Sequence, residues 1–88
     1  MNIITFDANS PCWTPNEEST RFFLDVEIKY LKELFTANGY IYLNTIYEGF
    51  GVRWNPDWDN ICYRAENGEL CTKIEQGLGD VYFIEITQ

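Results

Sequence analysis

An α+β fold is expected of this chain, on three observations. A helix-start signature at Thr14 to Glu17 opens a broad apolar stripe that stops at Asn38-Gly39. From Asn60 onward the residues alternate in the manner of strands, punctuated by Asn-Gly and Gly-Leu-Gly turns. Between these regions only short extended and helical pieces fit. The architecture expected is one main helix plus a short helix, packed on a three- to four-stranded antiparallel sheet with a C-terminal hairpin. At 88 residues it forms a single domain, 1–88.

Taken in order, residues 2–6 have strand composition, and Asp7 to Pro15, with Asn9, Ser10 and Pro11, reads as a loop. The main helix is expected from about Pro15 to Ala37. Thr14 serves as N-cap, Pro15 suits the first helical position, and Glu17 supplies the capping-box acid. Its stripe runs through Phe23, Val26, Tyr30 and Leu34, widened by Phe22, Leu24, Ile28, Leu31 and Phe35. Phe22 to Ile28 also alternates as a strand would, which would delay the helix to about Glu27. Tyr40 to Leu43 is extended, and Asn44 caps a short helix over Thr45 to Phe50. Val52 to Asp59 is a Trp-bearing loop.

The hairpin is expected from Ile61 to Ala65 and Leu70 to Glu75, with Asn67-Gly68 as a type I′ turn pair. That register sets Glu66 opposite Glu69, Arg64 opposite Cys71 and Ile61 opposite Ile74. Ile61, Tyr63, Ala65, Leu70 and Ile74 then face the core. Cys62 and Cys71 share the other face diagonally, ~7 Å apart at Cβ against the ~3.8 Å a disulfide needs. Gly77 to Asp80 turns the chain into a last strand, Val81 to Thr87.

Charge narrows function further. Fourteen carboxylates stand against six basic residues, a formal net charge of −8, and no histidine is present. Histidine is the usual proton carrier near pH 7, and no Gly-rich phosphate loop or Gly-x-Ser-x-Gly elbow replaces it, so no enzyme is expected. The scattered basic residues (Arg21, Lys29, Lys32, Arg53, Arg64 and Lys73) argue against direct nucleic-acid or membrane binding, because phosphates are held by Lys and Arg. Apolar runs fall far short of a membrane span, and the N-terminus lacks the basic region of a secretion signal; a cytoplasmic protein is expected. Three cysteines with no Cys-x-x-Cys spacing read as partly buried thiols.

One segment resembles a calcium loop in spacing: Asn55, Asp57 and Asp59 fall at positions 1, 3 and 5, and Glu66 at position 12. Position 6 is Asn60 where Gly is needed, and a strand follows in place of a helix, so no metal or other cofactor is expected. A binding surface fits better. Glu48, Asp57, Asp59, Glu66 and Glu69 lie mostly in loops and turns of the C-terminal half, with Trp54 and Trp58 beside them. Carboxylates around aromatic anchors suit a basic groove on another protein. A homodimer is also compatible with the composition.

The stretch Gly39-Tyr-Ile-Tyr-Leu-Asn-Thr-Ile-Tyr-Glu-Gly-Phe-Gly-Val52 resembles a motif of small uncharacterised domains from phages and mobile elements. In those, a helix leads into a Gly-Tyr-hydrophobic segment, a Leu-Asn pair and a short Tyr-bearing helix. Thr45 stands where they more often carry Asp. The resemblance implies a mobile-element origin. In size and charge the chain is also similar to phage-encoded inhibitors of bacterial defence, including anti-CRISPR proteins, some of which present acidic surfaces to nucleic-acid sites; that similarity is one of character. The function expected is a non-enzymatic inhibitor that occupies a basic nucleic-acid-binding site on a host protein. The alternative is a structural or assembly component of a phage or conjugative particle.

Overall fold

The computed structural model of the chain describes residues 2–10, 12–51, 56–58, 61–79 and 81–88. Among them the fold is α+β, with two α-helices and two antiparallel sheets. Strand β1 (Asn2–Phe6) leads to helix α1 (Glu17–Asn38), then β2 (Tyr40–Tyr42) and helix α2 (Leu43–Gly49). A 3-10 turn at Pro56–Trp58 precedes β3 (Cys62–Arg64), and a second at Ala65–Asn67 precedes β4 (Cys71–Gln76) and β5 (Tyr82–Thr87).

The three-stranded sheet has the order β1-β5-β4. Its central strand β5 alternates strictly, with Tyr82, Ile84 and Ile86 buried. Register puts Ile4 and Ile74 on either side of Ile84, and Phe6 beside Tyr82. One face is therefore apolar and packs on the helices. The opposite face carries Thr5, Lys73, Glu75 and Glu85, with Ile3 and Phe83 among them.

Helix α1 begins two residues later than the sequence suggests. Asn16 is the N-cap, its Oδ1 accepting from the Ser19 N–H at 3.0 Å. Thr14 is engaged elsewhere: its N–H donates to Thr20 Oγ1 at 3.2 Å, and the Thr20 hydroxyl donates to the Thr14 carbonyl at 3.0 Å. This clasp satisfies the buried Thr20 and folds the incoming loop onto the helix. Inside the loop, Asp7 accepts from the N–H of Asn9 and of Ser10. The helix ends at Gly39 (φ 79°), whose N–H donates to the Phe35 carbonyl.

Only one side of α1 reaches the core, through Thr20, Leu24, Leu31 and Phe35, with Phe23, Ile28 and Leu34 partly buried beside them. Phe22, Val26 and Tyr30, expected in the same stripe, are exposed. Trp13 packs partly buried against the core. Helix α2 buries Leu43, Asn44, Ile46 and Tyr47, and Phe50 closes its end fully buried. Asn44 is inside this helix, not its cap; the N-cap position is Tyr42.

The expected pairing of 61–65 with 70–75 is wrong. Strand β3 pairs with β2, Tyr40 opposite Arg64 and Tyr42 opposite Cys62, in a separate two-stranded sheet. Strand β4 pairs with β5, which is the C-terminal hairpin of the fold. The physical reason lies in the facing residues. A 61–75 hairpin would oppose Glu66 to Glu69, two like charges, whereas the observed register opposes Lys73 to Glu85 and Ile74 to Ile84. Of the five residues expected on its core face, Leu70 is buried and Tyr63 and Ile74 are half-buried, but Ile61 and Ala65 are exposed.

Candidate functional site

The turn between β3 and β4 gathers part of the expected acidic surface. Ala65–Asn67 forms a 3-10 turn anchored by the Ala65 N–H, which donates to the Gly39 carbonyl at 2.8 Å. Gln88 ties the far end of the chain to the same turn, its Nε2 donating to the carbonyls of Arg64 and, at 3.1 Å, Gly68. Glu66 and Glu69 both project from this braced turn and are exposed. Glu69 also borders a groove with Lys32, Phe35, Thr36 and Leu70, which places it beside the C-terminal end of α1.

The other expected residues sit elsewhere. Glu48 is exposed on α2, and Asp57 is exposed on the 3-10 turn that follows it, which also includes Trp58. Trp54 and Asp59 lie outside the described residues, as does Asn55 of the calcium-loop pattern. Asp57 and Glu66, the described carboxylates of that pattern, belong to two different 3-10 turns separated by β3. Among the described residues no group of three or more His, Cys, Asp or Glu is arranged to hold a metal ion. The cysteines are free thiols; Cys62 is half-buried, while Cys12 and Cys71 are exposed, not partly buried as expected.

Among the described residues, two exposed tyrosines stand on the strand paired with β3. Tyr40 and Tyr42 stand on the exposed face of β2, ring centroids 5.6 Å apart in an edge-to-face arrangement. Tyr40 faces Arg64 across the strand pair, two residues before Glu66. The signal was available in the sequence, since two tyrosines at i and i+2 around a buried Ile41 must share one face of a strand. Such rings offer flat, amphipathic faces on which a partner's Arg or Lys can rest.

Basic residues are partly engaged by neighbouring acids. Lys73 Nζ lies 2.8 Å from Glu75 Oε1, and the hydrogen bond to Glu75, then its charge and that of Glu85, hold the lysine above its usual pKa. Arg21 approaches Asp25 at 3.6 Å along α1. Both pairs are exposed and add little stability.

One carboxylate behaves differently. Glu27, half-buried on α1, lies against Gly49 of α2 so closely that a side chain at 49 would strike its Oε1. Burial raises the Glu27 pKa above 4.5. The folded chain thus holds this proton more tightly than the unfolded one. Stability from Glu27 is fully present below pH 4.5 and is lost as pH rises through the folded-state value. Glu27→Gln should therefore raise the melting temperature at pH 7 and leave it unchanged near pH 4. An equal gain at both values would contradict the burial argument. Gly49→Ala should displace the carboxylate and return its titration, followed by NMR, toward the ordinary range.

No helix among the described residues is long and apolar enough to cross a membrane. No protein-family model matches the sequence, and neither a curated protein nor a solved structure matches it significantly.

Proposed function

We propose that this protein is a non-enzymatic binding inhibitor of phage or mobile-element origin. It acts in the host cytoplasm and occupies a basic nucleic-acid-binding site on a host protein, in the manner of an anti-CRISPR or other anti-defence factor. The observation that carries the reading is the charge: fourteen acids to six bases, with Glu48, Asp57, Glu66 and Glu69 all exposed. Carboxylates can stand in for phosphates because a basic groove responds to the field of negative charge before it reads any detail. The braced turn that holds Glu66 and Glu69 supports the same reading, since a preorganised charge pair loses less freedom on binding. Tyr40 and Tyr42 add flat contact area where a partner's guanidinium can stack.

The test has two stages. The chain is first used to capture partners from a bacterial lysate at low and at high salt. The captured protein, purified, is then bound to labelled nucleic acid and challenged with this chain. Displacement that weakens steeply with salt is expected, and reversing Asp57, Asp59, Glu66 and Glu69 to Lys should weaken it by about a hundredfold or more. Capture without displacement, or displacement that survives the fourfold reversal, would overturn the reading.

A further inference from the structure

Strand β4 has one open side. In the order β1-β5-β4 it pairs with β5 alone among the described residues. Gly77, just beyond β4, donates its N–H to the Val81 carbonyl at 2.8 Å, and this pair continues the β4–β5 register. In an antiparallel ladder such hydrogen-bonded pairs alternate with pairs whose backbone groups point away. Cys71, Lys73 and Glu75 therefore bond to β5, whereas Thr72, Ile74 and Gln76 direct their N–H and C=O groups to the open side. Such a row of backbone donors and acceptors is a template for another extended strand. The remaining edges offer less. By the same alternation β1 turns only Ile3 and Thr5 outward, β2 is three residues long, and on β3 the Arg64 carbonyl already accepts from Gln88.

The side chains of β4 say which strand fits. Laid antiparallel on a second copy about Ile74, β4 sets Ile74 on Ile74 and Thr72 on Gln76, so that open-sided residues meet open-sided residues. Lys73 then faces Glu75 of the second copy, and Glu75 faces its Lys73. No other residue of β4 is charged, so the paired span opposes no like charges. Glu85 flanks Lys73 from β5, which leaves the lysine between two acids. Glu69 lies outside the paired span, and Lys32 borders the same groove. On the core face this register continues the row Ile4, Ile84, Ile74 into the same three residues of the second copy, and the half-buried Ile74 is covered. A slide of one residue would mismatch the backbone groups. A slide of two would set Lys73 on Lys73 or Glu75 on Glu75, so the charges select the register. Each chain carries −8, but that repulsion is screened beyond ~8 Å at ~0.15 M salt.

We propose that the open edge of β4 pairs with β4 of a second copy, forming a two-fold dimer with one continuous six-stranded sheet centred on Ile74. The inference stands apart from the acidic surface above, whose residues lie outside β4. Sedimentation equilibrium in ~0.15 M salt reads it directly, with circular dichroism confirming that each variant is folded. Wild type should show a reversible monomer–dimer equilibrium. Gln76→Pro should remove it, because the proline takes away an N–H that the monomer does not use and puts its ring in the path of the second strand. Lys73→Glu and Glu75→Lys should each raise the dimer Kd about tenfold or more, since each sets like charges face to face across the two-fold axis. Mixing those two variants should restore association, because the heterodimer regains both opposite-charge contacts. The double variant Lys73→Glu/Glu75→Lys should dimerise on its own for the same reason. A wild type that stays monomeric to millimolar concentration would overturn the proposal. So would a dimer untouched by Gln76→Pro, or a mixture no more associated than either variant alone.

Discussion

Replacing Phe6 by alanine is expected to lower the unfolding free energy by about 3–5 kcal/mol. Phe6 is fully buried, pairs with Tyr82 across the sheet, and stacks on Phe23 of α1 with ring centroids 5.7 Å apart. It therefore joins the edge strand to the centre of the sheet and to the main helix at one point. Among the described residues β1 pairs with β5 alone, so its attachment depends on Ile4 and Phe6 filling the space beneath α1. At roughly 0.05–0.15 kcal/mol per residue, a domain of this length has only about 4–13 kcal/mol to lose. Urea denaturation should show the midpoint falling sharply with little change in slope. Phe6→Leu should recover most of the loss, because it refills much of the volume. A cost below about 1 kcal/mol for the alanine variant would mean that β1 frays independently of the core.

Much of this fold was legible in the sequence because the signals were periodic. The strand at 2–6, the long helix, the β-rich C-terminal end and the bend at 78–79 all follow from spacing and from Gly and Asn positions. Detail failed where one residue had two roles open to it. Thr14 could cap α1, but Asn16 takes that position and Thr14 clasps Thr20 instead. The helical stripe was too wide to say which of its apolar residues faced inward, and the structure divides it into a buried side and an exposed side. Strand pairing failed for a different reason. Local turn chemistry argues for the nearest partner, whereas pairing is decided by the cross-strand contacts that each alternative makes. Of the candidate site, the exposure of Glu48, Asp57, Glu66 and Glu69 was foreseeable from their polarity; the bracing of the Glu66–Glu69 turn by Gln88 was not, since it spans 20 and more residues.

The β3–β4 turn offers a second large effect, and one that separates the two pairings. Gly68 has φ 118° and ψ −176°, a backbone region that is essentially closed to residues with a Cβ. Gly68→Ala should therefore cost about 1–3 kcal/mol, although open space surrounds the position and no clash contributes. Asn67 is exposed in the preceding 3-10 turn, and every positive φ among the described residues belongs to glycine. Asn67→Ala should then stay within about 0.5 kcal/mol of wild type. In a type I′ hairpin both residues would need positive φ, and both substitutions would be costly. Chemical denaturation of the two variants thus distinguishes the arrangements without reference to any partner. The consequence extends to function, because Gly68 lies between Glu66 and Glu69 and its carbonyl accepts from Gln88. Straining this one residue should loosen the spacing of both carboxylates. If the braced turn contributes to partner binding, Gly68→Ala weakens binding with no change in charge, whereas Asn67→Ala leaves it intact. Equal binding by both variants would assign the interaction to net charge alone.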